Sequence, residues 1–267
     1  MLVKSIEFMK SDEIGYPYDL PFFGHTLILT SPITILVGEN GAGKSSLLKL
    51  LNDVLKLYRI DANESSKKTQ KTLKSSLHLP NIQYVRTKPK GFYFSAEDFT
   101  TYIQSLEQNR QEAYQALDEI ETAYAHKSDF SKSLARMPHM RTINDIDQMY
   151  QKDLLSSSHG EAYLDFFKSR LRTNELYLLD EPETPLSIQN QITMLSILDD
   201  AVARGNQFII ATHSPILMSI PDATIIEISS DGVRSVAYDD LESVKLLKHF
   251  LNHKEQFFRH LYEKKSE

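Results

Sequence analysis

Residues 32 to 51 read PITILVGENGAGKSSLLKLL and decide the fold of the chain. An apolar run, a glycine-rich turn and a segment with leucines at helical spacing follow one another directly. The turn matches the pattern GxxxxGK(S/T), which cradles phosphate groups when a strand precedes it and a helix follows it. A glycine-rich turn that carries a lysine by chance is the alternative, and the flanking strand and helix argue against it. The stretch therefore predicts a strand, a phosphate-binding loop and a helix in succession.

Individual residues of this turn have separate chemical tasks. Gly38 and Gly43 let backbone N–H groups converge on phosphate oxygens, and the N-terminus of the following helix adds partial positive charge. Lys44 supplies a full positive charge for the β- and γ-phosphates of a nucleotide. Ser45 offers a hydroxyl to Mg²⁺, a hard cation that prefers oxygen ligands.

Two further apolar segments end in polar residues. Residues 175 to 183 read ELYLLDEPE, so Asp180 and Glu181 follow a predicted buried strand. Beside a phosphate loop, the first acid would hold the water shell of Mg²⁺ and the second would polarise the attacking water. Residues 208 to 215 read FIIATHSP and place His213 at the carboxyl end of another strand, where open α/β sheets bind ligands. Adjacent acids also occur at surfaces and a lone histidine is usually structural, but the phosphate loop favours the functional interpretation.

Composition limits the classes of protein that the chain can belong to. Its 267 residues are 41% hydrophobic, enough for one substantial core. Cysteine is absent, which excludes disulfide scaffolds and thiolate chemistry. No apolar run approaches the roughly 20 residues of a membrane-spanning helix, and the N-terminus lacks a signal peptide's apolar segment, so we expect a cytoplasmic protein. A net charge of −6 implies no global preference for nucleic acid or membranes, and any such contact must be local.

The order of apolar strands and helical patterns predicts the fold class. Short β-rich runs alternate with helical segments, which indicates an α/β protein with a mostly parallel central sheet, flanked by helices and preceded by antiparallel strands. We expect a single domain over 1–267, with a helical insertion at 98–155 and a C-terminal helical segment at 241–262. Within the insertion we predict one long amphipathic helix from Phe99, an irregular stretch ending at Pro138, and a shorter returning helix. A lid that packs on itself and a coiled-coil partner arm both fit this pattern.

Basic residues concentrate in two places. Lys67, Lys68, Lys71 and Lys74 lie in a stretch rich in serine and threonine between residues 63 and 76, where a solvated surface loop is the favoured interpretation over a nucleic-acid contact. Lys88 and Lys90 follow further along and could contact phosphates.

Four motifs together resemble the ABC-type ATPase superfamily, in that family's order: GENGAGKSS (38–46), SSSHGE (156–161), LYLLDEPE (176–183) and IIATHSP (209–215). Within the superfamily the chain resembles the soluble SMC/RecF-like group, and especially small stand-alone predicted bacterial AAA/ABC ATPases. The resemblance implies a P-loop NTPase fold, ATP and Mg²⁺ as ligands, and hydrolysis with Lys44, Glu181 and His213 as catalytic residues. It further implies Ser45 and Asp180 as metal ligands. The residues that it implies for ATP binding are Gly38, Asn40, Gly41, Ala42, Gly43, Lys44, Ser45 and Ser46.

The resemblance gives the SSSHGE segment a role in a dimer. In the family, this signature of one protomer binds the γ-phosphate held by the phosphate loop of another, so that two ATP molecules are enclosed in a head-to-tail homodimer. By motif position Ser158 and Gly160 would contact that phosphate in trans, with His159 and Glu161 in the same motif. A plain helix N-cap at Ser158 is a compatible alternative.

The chain departs from the family pattern at three points. Ser187 occupies the place of the aspartate of the D-loop, the segment that follows the second acid. The Q-loop glutamine is missing, and Glu97 is its nearest polar candidate and a third candidate metal ligand. Tyr16, Tyr18 and Phe22 are aromatic residues in the region where relatives stack adenine, but none of them can be assigned from the sequence.

The resemblance favours an ATP hydrolase that couples dimer closure to a protein or nucleic-acid partner, with roles in DNA maintenance or bacterial defence as examples. The nucleotide-binding subunit of a membrane transporter is one alternative. An ATP-sensing switch with little turnover is another.

Overall fold

The computed structural model describes residues 1–10, 15–59, 79–150 and 159–263. The lysine-rich stretch at 63–76 therefore lies outside the described residues, and Ser158 lies outside them too. The strands are β1 Val3–Glu7, β2 Thr26–Ile28, β3 Ile33–Val37, β4 Tyr58–Arg59, β5 Asn81–Tyr84, β6 Gly91–Ser95, β7 Leu176–Asp180, β8 Gln207–Ala211, β9 Thr224–Ser229 and β10 Gly232–Ser235. The helices are α1 Lys44–Leu55, α2 Ala96–Ala123, α3 Asp129–Tyr150, α4 His159–Arg170, α5 Ile188–Ala203, α6 Pro215–Met218, α7 Glu242–Asn252 and α8 Lys254–Glu263.

A seven-stranded sheet in the order β10-β9-β3-β8-β7-β6-β4 forms the centre of the molecule. Its neighbouring strands are parallel except for the β9–β10 pair. All residues of β3, β7 and β8 are buried, because apolar side chains on both faces of these strands are covered. The prediction of a mostly parallel α/β sheet is confirmed.

Two hydrophobic clusters fill the two sides of this sheet. Tyr177 and Leu179 of β7 belong to the cluster that includes residues of α4 and α5, whereas Leu178 belongs to the cluster that includes residues of α1. Successive residues of a strand point to opposite faces, so one apolar strand contributes to both clusters.

A three-stranded antiparallel sheet, in the order β2-β1-β5, contributes residues to the α1-side cluster. The buried side chain of Gln207, at the start of β8, joins this sheet to the large one. Its Oε1 accepts from the backbone N–H groups of Leu2 and Val3 at 2.7 and 2.8 Å, and its Nε2 donates to the Val3 carbonyl at 2.9 Å.

Helices α2 and α3 form a hairpin between β6 and the start of α4. Ala113 and Leu117 of α2 pack on Ile143 of α3. The prediction of an irregular stretch ending at Pro138 is wrong, since α3 already begins at Asp129 and contains Pro138. Proline removes one hydrogen bond from the helix interior, and contacts with α2 hold α3 on both sides of it. Besides the apolar contacts, these include ion pairs from Lys132 and Arg136 to Glu121 and from Arg110 to Asp147.

Helices α7 and α8 follow a 3-10 turn at Tyr238–Asp240. Val244 packs into the core, whereas Leu246 and Leu251 on the same helix are exposed. None of the described helices is both long enough and apolar enough to cross a membrane.

Helix α5 offers a matched test of the packing. Leu198 is fully buried and Ile192, on the same helix, is 54% exposed. We expect Leu198→Ala to lower the free energy of unfolding by about 2–5 kcal/mol, since it leaves a cavity in the core. Ile192→Ala should change it by at most about 0.5 kcal/mol. Urea unfolding followed by circular dichroism measures both, and equal effects of the two substitutions would contradict the packing described.

Candidate functional site

The glycine-rich turn lies between the end of β3 and the start of α1. Gly38 has φ +147° and Gly43 has φ +95°. A Cβ atom at Gly38 would lie 2.2 Å from the carbonyl oxygen of Ile228, so the loop passes too close to β9 for any side chain. The Nζ of Lys44 donates to the carbonyl oxygens of Gly38 and Glu39, each at 2.9 Å. The ammonium group therefore lies across the loop that would surround the phosphates.

Lys44 is buried among acids. Burial lowers its pKa, and the negative charges of Glu181, Asp180 and Glu183 offset part of that effect. A buried cation that faces carboxylates and the main chain of a phosphate loop is suited to neutralise an anionic ligand.

Ser45 and Asp180, both predicted as metal ligands, lie within hydrogen-bonding distance of each other. The Ser45 hydroxyl donates to Asp180 Oδ1 at 2.8 Å, and the Tyr93 hydroxyl donates to Asp180 Oδ2 at 3.1 Å. Burial raises the pKa of Asp180, and these two hydrogen bonds act in the opposite direction. Burial and the charge of Asp180 raise the pKa of Tyr93, so its hydroxyl stays a donor.

The hydroxyl and carboxylate oxygens of this pair fit Mg²⁺, which usually takes one or two protein oxygens together with nucleotide phosphates and water. Within the described ranges no group of three or more acids and histidines could hold a metal ion by itself. The donor set therefore suits a metal that arrives with the nucleotide.

Glu181 and His213 lie at the carboxyl ends of the neighbouring strands β7 and β8. The distance from His213 Nε2 to Glu181 Oε1 is 3.8 Å. Glu181 has φ +48°, which is uncommon for a residue with a side chain and occurs often at functional sites. Its backbone N–H donates to the Ala211 carbonyl at 2.9 Å, which ties this conformation to β8.

Glu183 is a residue of this site that the sequence reasoning missed. Its Oε1 accepts from the backbone N–H of His213 at 2.7 Å, so it fixes the segment that carries the imidazole. Among the residues that the structure describes, its Oε2 and the hydroxyl of the fully buried Tyr163 have no hydrogen-bond partner. Burial and the charge of Glu183 raise the pKa of Tyr163. The second glutamate of DEPE, two residues after Glu181, was the available signal.

The SSSHGE motif runs into the first turn of α4. Helix α4 begins at His159, Gly160 is buried, and Glu161 is exposed in the first turn. A Cβ atom at Gly160 would lie 2.5 Å from Asn190 Nδ2 and 3.3 Å from the Pro185 carbonyl oxygen. The helix start therefore packs on the segment that follows β7.

Ser187, at the D-loop position, caps helix α5. Its side chain accepts from the backbone N–H of Asn190 at 3.2 Å. The serine thus orders the chain between the Glu181 strand and the helix that contacts Gly160.

Among the remaining candidates, Tyr16 is 71% exposed, and its hydroxyl donates to Ser46 at 3.4 Å, beside the phosphate loop. Phe22 is fully buried, so it cannot stack on a base. Tyr18 is partly buried. Glu97 lies in the first turn of α2 and is exposed, and within the described residues its carboxylate forms no ion pair.

Comparison with known proteins identifies the class to which this site belongs. Residues 28–184 match the family model described as "ABC transporter", which covers more than half of the chain. The chain therefore belongs to this family, and it is an ATP-binding enzyme that hydrolyses ATP. The matched region contains the phosphate loop, the start of α4 and the DEPE segment, whereas His213 lies beyond it.

Individual proteins share limited sequence identity with this chain. A Methanosarcina acetivorans protein named as an ABC transporter ATP-binding protein is 26% identical over 215 residues, which are 78% of this chain and 72% of that protein. Among solved structures, CbiO1 of Clostridium perfringens, part of the ABC transporter complex CbiONQ, is 16% identical with 98% of each chain covered and a TM-score of 0.44. The SMC head domain of Thermotoga maritima is 13% identical over 88% of this chain and 98% of that one, with a TM-score of 0.39.

Tyr93 provides a test of the site. We expect Tyr93→Phe to raise the Mg²⁺ concentration for half-maximal ATP hydrolysis roughly ten-fold, because a hydrogen bond to a charged group contributes about 1.5 kcal/mol. The effect should grow as the pH falls, since loss of the donor raises the pKa of Asp180 further. Mg²⁺ titrations of the hydrolysis rate at two pH values measure it. Tyr177→Phe is the control, because that hydroxyl bonds to Arg172 and Glu175 instead. An unchanged Mg²⁺ dependence in Tyr93→Phe would contradict the assignment.

Proposed function

We propose that two copies of this chain close head to tail around two ATP molecules, and that the cycle of closing and opening acts on a bound partner. Each phosphate loop would be completed by the SSSHGE segment of the other copy. Hydrolysis would then reopen the dimer.

The partial exposure of the catalytic pair, Glu181 and His213, is the observation that carries this proposal. The side chains of Glu181 and His213 are 47% and 40% exposed, although Lys44 and Asp180 behind them are buried. A γ-phosphate held here would be surrounded by protein on one side and by water on the other. Phosphoryl transfer is accelerated by donors on all sides of the phosphate and by exclusion of bulk water.

The position of α4 favours a second copy of the chain as the source of contacts on the open side of the γ-phosphate. The atoms nearest to a Cβ built at Gly160 belong to Asn190 and Pro185, which follow β7, and not to the phosphate loop. The N-terminus of α4 carries the partial positive charge of a helix end, which suits an anion. Ser158, His159, Gly160 and Glu161 would therefore contact the nucleotide of the partner copy.

The geometry supports the following roles within one site. Lys44 would neutralise charge on the γ-phosphate, while Ser45 and Asp180 would hold Mg²⁺, which supplies charge neutralisation when bound. Glu181 would orient the attacking water and accept its proton, and His213 would stabilise the transferred group. Glu183 would act indirectly, by fixing the backbone of His213.

Tyr16 is the aromatic residue that we propose for contact with the base. It is the most exposed of the three candidates and its hydroxyl reaches the first turn of α1. Tyrosine can stack on adenine through its ring.

Two kinds of partner remain for the ATP cycle. We favour a protein or nucleic-acid partner in the cytoplasm. The family description and the name of the M. acetivorans relative favour a second candidate, the nucleotide-binding subunit of a transporter whose membrane-spanning part is another chain. Affinity purification with ATP separates them, because a transporter subunit would retain a protein with several membrane-spanning helices.

Glu181→Gln tests the proposed dimer. The substitution removes the base but keeps the size of the side chain, so ATP should bind without being consumed. We expect turnover to fall at least 100-fold and the chain to elute as a dimer with ATP and as a monomer without it. Size-exclusion chromatography with light scattering measures the mass.

Glu181→Gln combined with Lys44→Ala is the matched control and should stay monomeric with ATP. An unchanged hydrolysis rate in Glu181→Gln would remove this residue from the catalytic role. A monomer at saturating ATP would overturn the proposed dimer.

A further inference from the structure

A second concave site lies at the edge of the sheet opposite to the phosphate loop. Its cavity of about 770 Å³ is lined where parallel strands begin: by Tyr58 of β4, by Gly91 of β6, and by Glu175 directly before β7. The residues proposed for ATP chemistry lie where parallel strands end. The two sites are therefore separated by the length of the central strands.

The cavity is strongly cationic. Its lining includes Lys56, Lys88, Lys90, Arg170 and Arg172, but a single acid, Glu175. None of these cations forms an ion pair within the described part of the chain, although the whole chain carries a net charge of −6. Lys88 and Arg170 have neutral partners, the Val54 carbonyl for Lys88 and the Ser169 hydroxyl and Phe166 ring for Arg170. Cations gathered without acidic partners on an acidic protein favour an anionic ligand.

The negative charge of nearby helix ends offsets only part of this positive charge. Helices α1 and α4 both end at the cavity, and Lys88 Nζ donates to the Val54 carbonyl of α1 at 2.8 Å. Two helix C-termini contribute about −0.5 charge each and Glu175 contributes one full negative charge, so five cations leave roughly +3. Glu175 is moreover engaged by the Tyr177 hydroxyl at 3.2 Å. This local excess of positive charge favours an anionic ligand.

An exposed aromatic ring lies among these cations. Tyr58 is 67% exposed, and its ring lies 5.4 Å from that of Phe92, at 34° to it. The contact with Phe92 supports one face of the ring. Aromatic rings of this kind, beside basic side chains, stack unpaired bases of single strands.

We propose that this cavity binds single-stranded nucleic acid, with phosphates against the cations and a base on Tyr58. A duplex would leave Tyr58 unused, because its bases are already stacked on each other. Lys56, Lys88, Lys90 and Arg172 are all exposed. Such an open lining suits a strand that passes over the site better than an enclosed small molecule.

Four elements connect this cavity to the ATP site. Helix α1 runs from Lys44 to the cavity, about 18 Å for its 12 residues, and α4 runs there from the SSSHGE motif. Strands β6 and β7 begin at the cavity and end at Ser95 and Asp180. The coupling rests on the function proposed above, with the strand as the partner of the ATP cycle. Strand binding itself does not require the dimer.

Fluorescence anisotropy of labelled dT20 and U20 tests the proposal on the full chain, with a non-hydrolysable ATP analogue filling the phosphate loop. We expect one or both strands to bind, and the combined Lys88→Gln, Lys90→Gln and Arg172→Gln variant to bind at least ten-fold more weakly. Loss of three phosphate contacts should reduce the slope of log affinity against log salt by about 2. Tyr58→Ala should weaken binding about five-fold or more, and Tyr58→Phe should restore it.

The matched control is Lys4→Gln, Lys10→Gln and Lys254→Gln, which removes the same charge from exposed positions outside the cavity. Absence of binding to both strands, equal weakening by the two triple variants, or displacement of the strand by excess mononucleotide would each overturn the proposal. ATP-dependent dimerisation of Glu181→Gln is measured in parallel. A dimer that binds no strand overturns this inference alone, and strand binding by a chain that never dimerises overturns the proposed dimer alone.

Discussion

The hydrogen bond from Ser45 to Asp180 joins two segments that are 135 residues apart in the sequence. It holds the first turn of α1 against the end of β7, so the phosphate loop and the acidic segment face one space. The bond exists because β3 and β7 both belong to the parallel sheet, one on each side of β8. The remainder of the candidate site, including Tyr93, Glu181 and His213, depends on this alignment of strand ends.

The fold gives the two edges of the sheet opposite chemical characters. At the carboxyl edge the acids surround one buried lysine, which suits a nucleotide bound with a cation. At the opposite edge cations exceed acids, although the chain as a whole is acidic. Because α1 and α4 extend between these edges, a shift of either helix on ATP binding would move both sites. The two helices thus connect the nucleotide site with the cavity proposed for the strand.

The sequence was sufficient to predict the sheet and the phosphate loop, because apolar strands and glycine spacing encode them locally. It also marked Ser45 and Asp180 as metal ligands, although their contact depends on the strand order of the sheet. It was not sufficient for Tyr93 and Glu183, whose contacts depend on strand order and on the turn after β7. Pro138 was misread, since packing against α2 overrides the local preference of proline. The cationic cavity was only partly visible, because Lys56 and Arg172 join Lys88 and Lys90 through the tertiary fold.

Complementation between two inactive variants tests the shared ATP site most directly. Lys44→Ala disables the phosphate loop and Ser158→Phe disables the segment offered to the partner, so each variant alone should be inactive. In an equal mixture, half of the dimers are mixed and each contains one intact composite site, so ATP hydrolysis should recover to about a quarter of the wild-type rate. If both variants are folded and ATP is present, no recovery in the mixture would contradict a site built from two copies of the chain.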